Sequence, residues 1–396
     1  MADSRRSSSA SPLTQAPVPM LDLARQYTPI REEILEALAE VLDQRQFILG
    51  QPVDTFEQAA AKALGAAEAV GCASGTDALW LALAAAGIGS GAAVVTTPFS
   101  FFASVSSIVR AGAKPLLSDI DPATFNLDPN GVRRLLASEG SAPIRAILPV
   151  HLYGQCVDWG AFSALGKEFG VTLVEDAAQA WGASWQGRPV GTLGATAAFS
   201  FYPTKNLSAA GDAGLVTTND PALAERARML RQHGMRVRYQ HDEIGWNARM
   251  DGFQGAVLTV NLRHLPERAQ LRCQAAERYT QLFTATRLAE AGLYPQNGVV
   301  LPKTAPGNHH VWHQYVIRSA RRDELRAHLT ARQIGSEIYY PIPLHQQKAL
   351  TWLGYAEGDF PEAERASREV LALPIFPEIR EDEQQRVVDA IAEFLS

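Results

Sequence analysis

The sequence is poor in cysteine and in long apolar runs, and each shortage excludes a class of protein. Its 396 residues include three cysteines, Cys72, Cys156 and Cys273, which are far apart in the chain. They fit a reducing compartment, and no Cys/His spacing indicates zinc, so we expect no metal site. The longest apolar run, ALWLALAAAGIG from Ala78, is too short to span a bilayer and predicts a buried helix.

The net charge and the N-terminal segment exclude further classes of protein. The net charge of −6 argues against nucleic acid or an anionic membrane as the main partner. Residues 1–18 are rich in serine, proline and alanine and lack the apolar core of a signal peptide. We therefore predict a disordered tail there and a cytoplasmic protein.

Short apolar stretches alternate with helical patterns along most of the remaining chain. This alternation predicts an α/β fold with a mostly parallel sheet covered by helices on both faces. We assign residues 19–255 to this large domain and residues 256–396 to a smaller C-terminal α+β domain. The predicted strands are AEAVGCAS, AAVVTTP, KPLLSDI, IRAILPVHL, VTLVEDAA, AAFSF and LVTTN in the large domain, and VWHQYVIR and SEIYY in the small one.

The first polar cluster, CASGTDAL, joins a predicted strand to a predicted helix. Free backbone N–H groups at a helix N-terminus attract anions, Gly75 allows close approach, and the Thr76 hydroxyl adds a donor. This stretch predicts a phosphate site. The alternative is an ordinary helix cap, because Ser and Thr are common before helices.

The second cluster, TLVEDAAQAWGA, ends a predicted strand with Glu175 and Asp176. A carboxylate at that position can stay ionised beside a cationic heterocycle, and the Gln179 amide can reach a neighbouring oxygen. The alternative is an acidic side chain that caps the following turn.

The third cluster, SFYPTKNLSAAGDAG, contains Lys205 in a sequence that otherwise prefers arginine, since only six of its 36 basic residues are lysine. Arginine does not lose its proton in proteins, whereas a desolvated lysine becomes a neutral amine that attacks carbonyl groups. Ser200 ends the strand that leads into this loop. The alternative is a surface lysine in a salt bridge, because most lysines are exposed.

The fourth cluster, PFSFFAS, offers Phe101 and its neighbours as a flat face for an aromatic ring, although phenylalanines after a strand more often pack in the core. Ligands of open α/β sheets gather at the carboxyl ends of the strands. A phosphate anchor, an aromatic face, an aspartate and a lysine at that edge are what pyridoxal 5'-phosphate (PLP) requires. The four clusters together therefore predict a PLP site.

In these motifs the chain resembles the DegT/DnrJ/EryC1/StrS family of PLP-dependent nucleotide-sugar aminotransferases, which have the fold-type-I architecture. The resemblance covers nearly the whole chain after the tail. The motifs that carry it are LDLARQY, QFILGQPVDTFE, ASGTDAL, PFSFFAS, PVHLYGQ, VEDAAQAWGA, SFYPTKNL with GDAG, GWNARMDGFQGAVL and YYPIPLH.

The resemblance implies roles for individual residues. Lys205 is expected to bind the cofactor aldehyde as a Schiff base, and Asp176 to pair with the pyridine nitrogen. Asn247 and Arg249 belong to a segment expected to reach the cofactor of the neighbouring subunit, which implies a homodimer with shared active sites. The further cofactor contacts are Gln179 near the ring hydroxyl, Phe101 stacked on the ring, and Gly75, Thr76 and Ser200 on the phosphate.

The resemblance also implies the reaction, in which L-glutamate gives its amino group to the keto sugar of a nucleoside-diphosphate sugar. A 3-keto sugar is favoured over a 4-keto sugar, and Arg249, Tyr340 and His345 are expected near it. Three alternatives stay open. They are a PLP-dependent sugar dehydratase, which would carry histidine in place of Lys205, a non-catalytic sensor of PLP or sugar nucleotide, and an α/β binding protein without PLP.

Overall fold

The computed structural model describes residues 16–138 and 142–396, so most of the tail predicted for residues 1–18 lies outside the described residues. Val18 is described, and it is buried and forms a parallel bridge with Ile334. Ordered structure therefore begins before residue 19, and the chain start packs against the C-terminal part of the protein.

Helices and strands alternate through most of the described chain, as the apolar pattern predicted. The helices are α1 Leu23–Tyr27, α2 Arg31–Gln44, α3 Gln51–Leu64, α4 Gly75–Ala85, α5 Ala103–Arg110, α6 Pro129–Ala137, α7 Trp159–Phe169, α8 Pro221–Leu230, α9 Gly252–Ala285, α10 Arg322–Ala331, α11 Pro361–Glu369 and α12 Glu381–Leu395. The strands are β1 Glu68–Cys72, β2 Ala93–Thr96, β3 Lys114–Leu117, β4 Ile144–Ile147, β5 Thr172–Asp176, β6 Ser184–Trp185, β7 Arg188–Pro189, β8 Thr196–Ser200, β9 Gly214–Thr218, β10 Met235–Val237, β11 Gln240–His241, β12 Asn308–His309, β13 Tyr315–Arg318 and β14 Val370–Leu373.

The central sheet has seven strands in the order β1-β9-β8-β5-β4-β2-β3. Strand β9 runs antiparallel to both of its neighbours, and the other pairs are parallel. Strands β2 and β9 are buried along their whole length, because helices cover both faces of the sheet. The predicted α/β fold with a mostly parallel sheet is confirmed.

Helix α4 shows why the longest apolar run of the sequence is not a membrane segment. Its residues from Ala78 to Leu83 are all buried, since the helix lies between the sheet and neighbouring helices. Burying such a helix stabilises the domain by roughly 1.5–3 kcal/mol for each large apolar side chain. Within the described ranges, no helix is both long enough and apolar enough to cross a membrane.

The C-terminal part has a core of its own, around the antiparallel pair of β13 and β14 and the second half of α9. The predicted strand SEIYY is wrong: it contributes only an isolated bridge between Glu337 and Ala372, and β14 is the strand that pairs with β13. Pro341 and Pro343 follow SEIYY and have no N–H to donate, so a ladder cannot extend beyond SEIYY. The predicted domain boundary at residues 255/256 falls inside α9 and stays a prediction.

Candidate active site

Three predicted polar clusters meet at one edge of the central sheet. Asp176 ends β5 and Ser200 ends β8, and these strands are parallel neighbours. Strand β9 begins at the same edge, where Gly214 pairs with Ser200 on one side and with Cys72 of β1 on the other. Helix α4 starts directly after β1. The sheet order thus assembles residues that are far apart in the sequence.

The start of α4 packs directly against Ser200. A Cβ atom added to Gly75 would lie 2.5 Å from the Ser200 Cβ and 2.8 Å from its Oγ, so no side chain fits there. The Ser74 hydroxyl caps the helix by accepting a 3.1 Å hydrogen bond from the Asp77 N–H, and Thr76 lies in the first turn. The predicted cap is therefore present, and the positive end of the helix lies beside the Ser200 hydroxyl, an arrangement suited to a phosphate.

The Asp176 carboxylate is buried and hydrogen-bonded at both oxygens. Oδ2 accepts a 2.7 Å bond from the Ser104 hydroxyl, and Oδ1 accepts a 3.2 Å bond from the Ala178 N–H. Burial raises the pKa of Asp176, while the two hydrogen bonds and the charge of Lys205 act in the opposite direction. A cationic N–H placed next to this carboxylate would hold it in the ionised form.

Glu175, the other carboxylate of the cluster, has a different environment. It accepts hydrogen bonds from the backbone N–H groups of Leu193 and Gly194 at 2.9 and 2.8 Å, and it lies 3.1 Å from His151 Nε2. Successive side chains of a strand point to opposite faces of the sheet. Glu175 thus stabilises a loop, and Asp176 is the carboxylate available to a ligand.

Lys205 lies in the turn after β8 and is half-buried. Burial lowers the pKa of its amine to about 8, and the charge of Asp176 opposes this shift. The next residue, Asn206, is fixed by its side chain: Nδ2 donates to the Val311 carbonyl at 3.1 Å, and Oδ1 lies 3.2 Å from His313 Nδ1. The lysine therefore has an anchored backbone and an amine that is partly neutral near physiological pH, as covalent attack on a carbonyl requires.

Gln179 links this edge of the sheet to the YYPIPLH motif. Its Oε1 accepts a 2.6 Å bond from the Tyr153 N–H, and its Nε2 donates to the Tyr340 hydroxyl at 3.0 Å. The Phe101 ring is 59% exposed, and its centroid lies 6.4 Å from that of Tyr340. Phe101 is thus free to contact a ring, whereas Phe99 is fully buried and packs in the core.

The other predicted substrate contacts have different positions. The Arg249 backbone bridges to Cys72 at the end of β1, and its Nε donates to the Oδ1 of the exposed Asn247 at 3.0 Å. The His345 imidazole is fully buried, and its Nε2 lies 3.0 Å from Glu364 Oε1. His345 therefore has no surface for a substrate in this structure, although its loop is tied to the PFSFFAS segment by the Leu344 N–H bond to the Pro98 carbonyl.

Sequence reasoning missed the residues that support the lysine loop and Asp176. The Tyr27 hydroxyl, in LDLARQY, lies 3.0 Å from Ser208 Oγ, and the Asn261 Nδ2 donates to the Ser208 carbonyl at 2.9 Å. Ser104 belongs to a quoted motif and could have been found as a hydroxyl next to the aromatic cluster. His313 gave no signal, because its partner Asn206 is close only in the folded chain.

These residues fit PLP in three respects. The α4 terminus and Ser200 suit its phosphate, the Asp176 carboxylate suits its ring nitrogen, and the amine of Lys205 suits its aldehyde. A side chain at position 75 would collide with Ser200. Glycine at this position therefore allows the N-terminus of α4 to lie close to the Ser200 hydroxyl, and we call this pair of elements the phosphate corner. An α/β sheet that presents a partly neutral lysine and a buried aspartate at its carboxyl edge defines the class of PLP-binding proteins.

Comparison with known proteins agrees with this class. The chain matches the model of the DegT/DnrJ/EryC1/StrS aminotransferase family over residues 28–392. It is 48% identical, over 95% of its length and 98% of the relative, to the pleiotropic regulatory protein of Geobacillus stearothermophilus. It is 42% identical, over 95% of its length and 96% of the relative, to the dTDP-3-amino-3,4,6-trideoxy-alpha-D-glucose transaminase of Streptomyces venezuelae.

Solved structures extend the comparison to the fold. The crystal structure of S. venezuelae DesV in complex with a ketimine intermediate has a TM-score of 0.90 and 41% identity, and the match covers 96% of this chain and 99% of that one. The structure of NtdA from Bacillus subtilis with bound cofactor PMP has a TM-score of 0.87 and 28% identity, covering 96% and 86%.

The chain therefore belongs to the DegT/DnrJ/EryC1/StrS aminotransferase family. It is a PLP-dependent aminotransferase, and the predictions of family, fold and cofactor are confirmed. The roles of the individual site residues stay predictions, which the geometry described above supports to different degrees.

Proposed function

We propose that this enzyme transfers the amino group of L-glutamate to the C3 keto group of a nucleoside-diphosphate sugar, in amino-sugar biosynthesis. The observation that carries the proposal is the convergence of Lys205, Asp176 and the start of α4 at one sheet edge in a member of an aminotransferase family. The 3-keto preference is supported by the Streptomyces relative, whose name places an amino group at carbon 3 of a dTDP-linked sugar.

Each group at the sheet edge has a defined task in this proposal. When bound, PLP supplies an electron sink for the substrate carbanion. The α4 terminus and Ser200 bind the phosphate, and Asp176 binds the ring N–H and orients the ring. Lys205 Nζ, partly neutral because burial lowers its pKa, removes the proton from glutamate Cα. In the second half-reaction the same amine delivers a proton to C3 of the sugar.

The walls of the site position the ring and the sugar. We propose that Phe101 covers one face of the ring and that Gln179 lies beside the ring hydroxyl. Tyr340, held by Gln179, then extends this wall towards the sugar nucleotide. His345 supports the loop from its buried position and does not itself contact the substrate.

We also propose that two copies of the chain share their active sites. The segment that leads to Asn247 and Arg249 carries apolar side chains exposed to solvent in the single chain: Tyr239 is 77%, Ile244 87% and Trp246 51% exposed. Three large apolar side chains that are exposed within one short segment favour an interaction surface there. If a second copy of the chain covers this surface, Asn247 and Arg249 of the first copy would reach the cofactor of the second copy. The cytoplasmic location stays a prediction.

The proposal is tested with purified enzyme, L-glutamate and a panel of keto-sugar nucleotides that differ in the keto position and in the nucleotide. Release of 2-oxoglutarate that depends on a 3-keto sugar supports it, and turnover with 4-keto sugars alone contradicts the regiochemistry. One relative bears the name of a regulatory protein. A protein that binds PLP but exchanges no amino group with glutamate would favour the sensor alternative instead.

A further inference from the structure

A chain of two buried hydroxyl groups ends on the Asp176 carboxylate. Ser104 Oγ lies 2.7 Å from Asp176 Oδ2, and Ser100 Oγ lies 2.8 Å from Ser104 Oγ. Ser100 and Ser104 are 3% and 1% exposed, so water does not compete for these bonds. Both serines come from the PFSFFAS segment, which also presents Phe101.

The direction of these hydrogen bonds follows from the number of protons. An ionised carboxylate can only accept hydrogen bonds, so the Ser104 hydroxyl must donate its one hydrogen bond to Asp176. Ser100 must then donate to Ser104. If Asp176 were protonated at Oδ2, the chain would have to reverse. The arrangement in which both serines donate towards Asp176 therefore favours the ionised form, and buried hydrogen bonds in series strengthen one another.

The burial of Asp176 explains why its carboxylate needs hydrogen bonds to stay ionised. Burial raises the pKa of this carboxyl, and the Ser104 bond is the largest of the contributions that lower it. The remaining ones are the Ala178 N–H and the charges of Lys205 and His151. The Ser104 hydroxyl bonds directly to Oδ2 of the carboxylate, and the Ala178 N–H bonds to the other oxygen, Oδ1.

We propose that Ser104 is a positioning residue that fixes the Asp176 carboxylate and, together with Ser100, keeps it ionised to pair with the protonated ring nitrogen of PLP. The inference rests on the role proposed above for Asp176. The PFSFFAS segment then acts on the PLP ring in two ways. Phe101 contacts the face of the ring, and Ser104 acts on the ring nitrogen through Asp176.

The test compares Ser104→Ala with Ser104→Thr, which keeps the hydroxyl, and with the control Ser107→Ala. Ser107 is equally buried on α5, but its Oγ donates to the Ser104 carbonyl at 3.4 Å rather than to Asp176. Two quantities are measured on each protein: the dissociation constant of PLP from the refilled apo-protein, and the nitrogen chemical shift of PLP labelled with ¹⁵N in the ring.

Ser104→Ala is expected to weaken PLP binding about tenfold or more, the loss typical of a hydrogen bond to a charged group. Its ring nitrogen should move towards the shift of unprotonated pyridine, while Ser104→Thr and Ser107→Ala stay near the wild type. If Ser104→Ala kept the wild-type dissociation constant and nitrogen shift, or if Ser104→Ala and Ser107→Ala lost PLP affinity equally, the inference about Ser104 would be overturned. The proposed function would be unaffected by either result. An unprotonated ring nitrogen in the wild type would overturn the role of Asp176 as well, and with it this part of the proposed function.

Discussion

The Gln179 amide donates to the Tyr340 hydroxyl at 3.0 Å, and this bond joins the end of the central sheet to the C-terminal part of the chain. The other end of the same amide accepts from the Tyr153 N–H at 2.6 Å. Gln179 is buried, so each of its polar atoms depends on these partners. The bond therefore fixes the sugar side of the site relative to the cofactor side.

Tyr340→Phe is expected to lower both stability and substrate affinity. Loss of the hydroxyl leaves the buried Gln179 Nε2 without its acceptor, which costs about 1–3 kcal/mol of the free energy of unfolding. We expect KM for the sugar nucleotide to rise more than KM for glutamate. Chemical denaturation and steady-state kinetics measure both effects, with Tyr294→Phe as control, because the Tyr294 hydroxyl donates to Glu362 Oε1 at 2.9 Å and not to a residue of the site. Equal changes in the two KM values would contradict the placement of Tyr340 on the sugar side.

The lowered pKa of Lys205 predicts an unusual pH profile for the apo-protein. Its amine is mostly charged below pH 8 and mostly neutral above it, so acylation of Lys205 should rise through a midpoint near pH 8. The charge of Asp176 raises this pKa, and Asp176→Asn should therefore move the midpoint to lower pH. Peptide mass mapping after brief labelling measures the profile, with the exposed Lys62 as internal reference. A Lys205 profile identical to that of Lys62 would contradict the account.

Gly75→Ala is expected to damage the phosphate corner selectively. The new Cβ would lie 2.5 Å from the Ser200 Cβ, so Ser200 and the start of α4 must separate. PLP binding should weaken about tenfold or more, since contacts with a charged phosphate are lost. Binding of pyridoxal, which lacks the phosphate, should change little. Titration of apo-protein with the two compounds gives the comparison, and an equal loss for both would show that the corner does not bind the phosphate.

Mixing of inactive variants tests whether the active sites are shared. If Asn247 and Arg249 act on the partner's cofactor, a heterodimer of Lys205→Ala and Arg249→Ala contains one site with all its residues. Activity should therefore return when the two inactive proteins are unfolded together and refolded. The matched control is Lys205→Ala with Ser200→Ala, where both altered residues serve the same subunit's site and no activity should return. Failure of the first mixture, with heterodimers demonstrated, would contradict shared sites.

The sequence allowed prediction of those site residues whose position follows from the strand ends. Asp176, Ser200 and Gly75 lie at one edge because parallel strands deliver their carboxyl ends there. The resemblance selected Asp176 over Glu175, and the structure supplies the physical reason, because the two side chains point to opposite faces of the sheet. The pairs Ser104–Asp176 and Asn206–His313 could not be predicted, because their members meet only after folding.

One predicted strand is wrong for a physical reason. SEIYY has the composition of a strand, but Val370–Leu373 occupies the position beside β13. The role of His345 stays a prediction, and the structure adds that its Nε2 lies 3.0 Å from Glu364 Oε1. Both contacts join distant parts of the chain, and local composition contains no information about such contacts.

The covalent bond between Lys205 and the cofactor is the most direct test of the account. Borohydride treatment of the holoenzyme fixes that bond, and mass spectrometry of the peptides identifies the modified residue. We predict a single cofactor adduct, on Lys205, and a Lys205→Met variant that folds with undiminished stability but transfers no amino group, because a desolvated amine has been replaced by an apolar side chain. An adduct on another lysine, or normal turnover by Lys205→Met, would contradict the central claim.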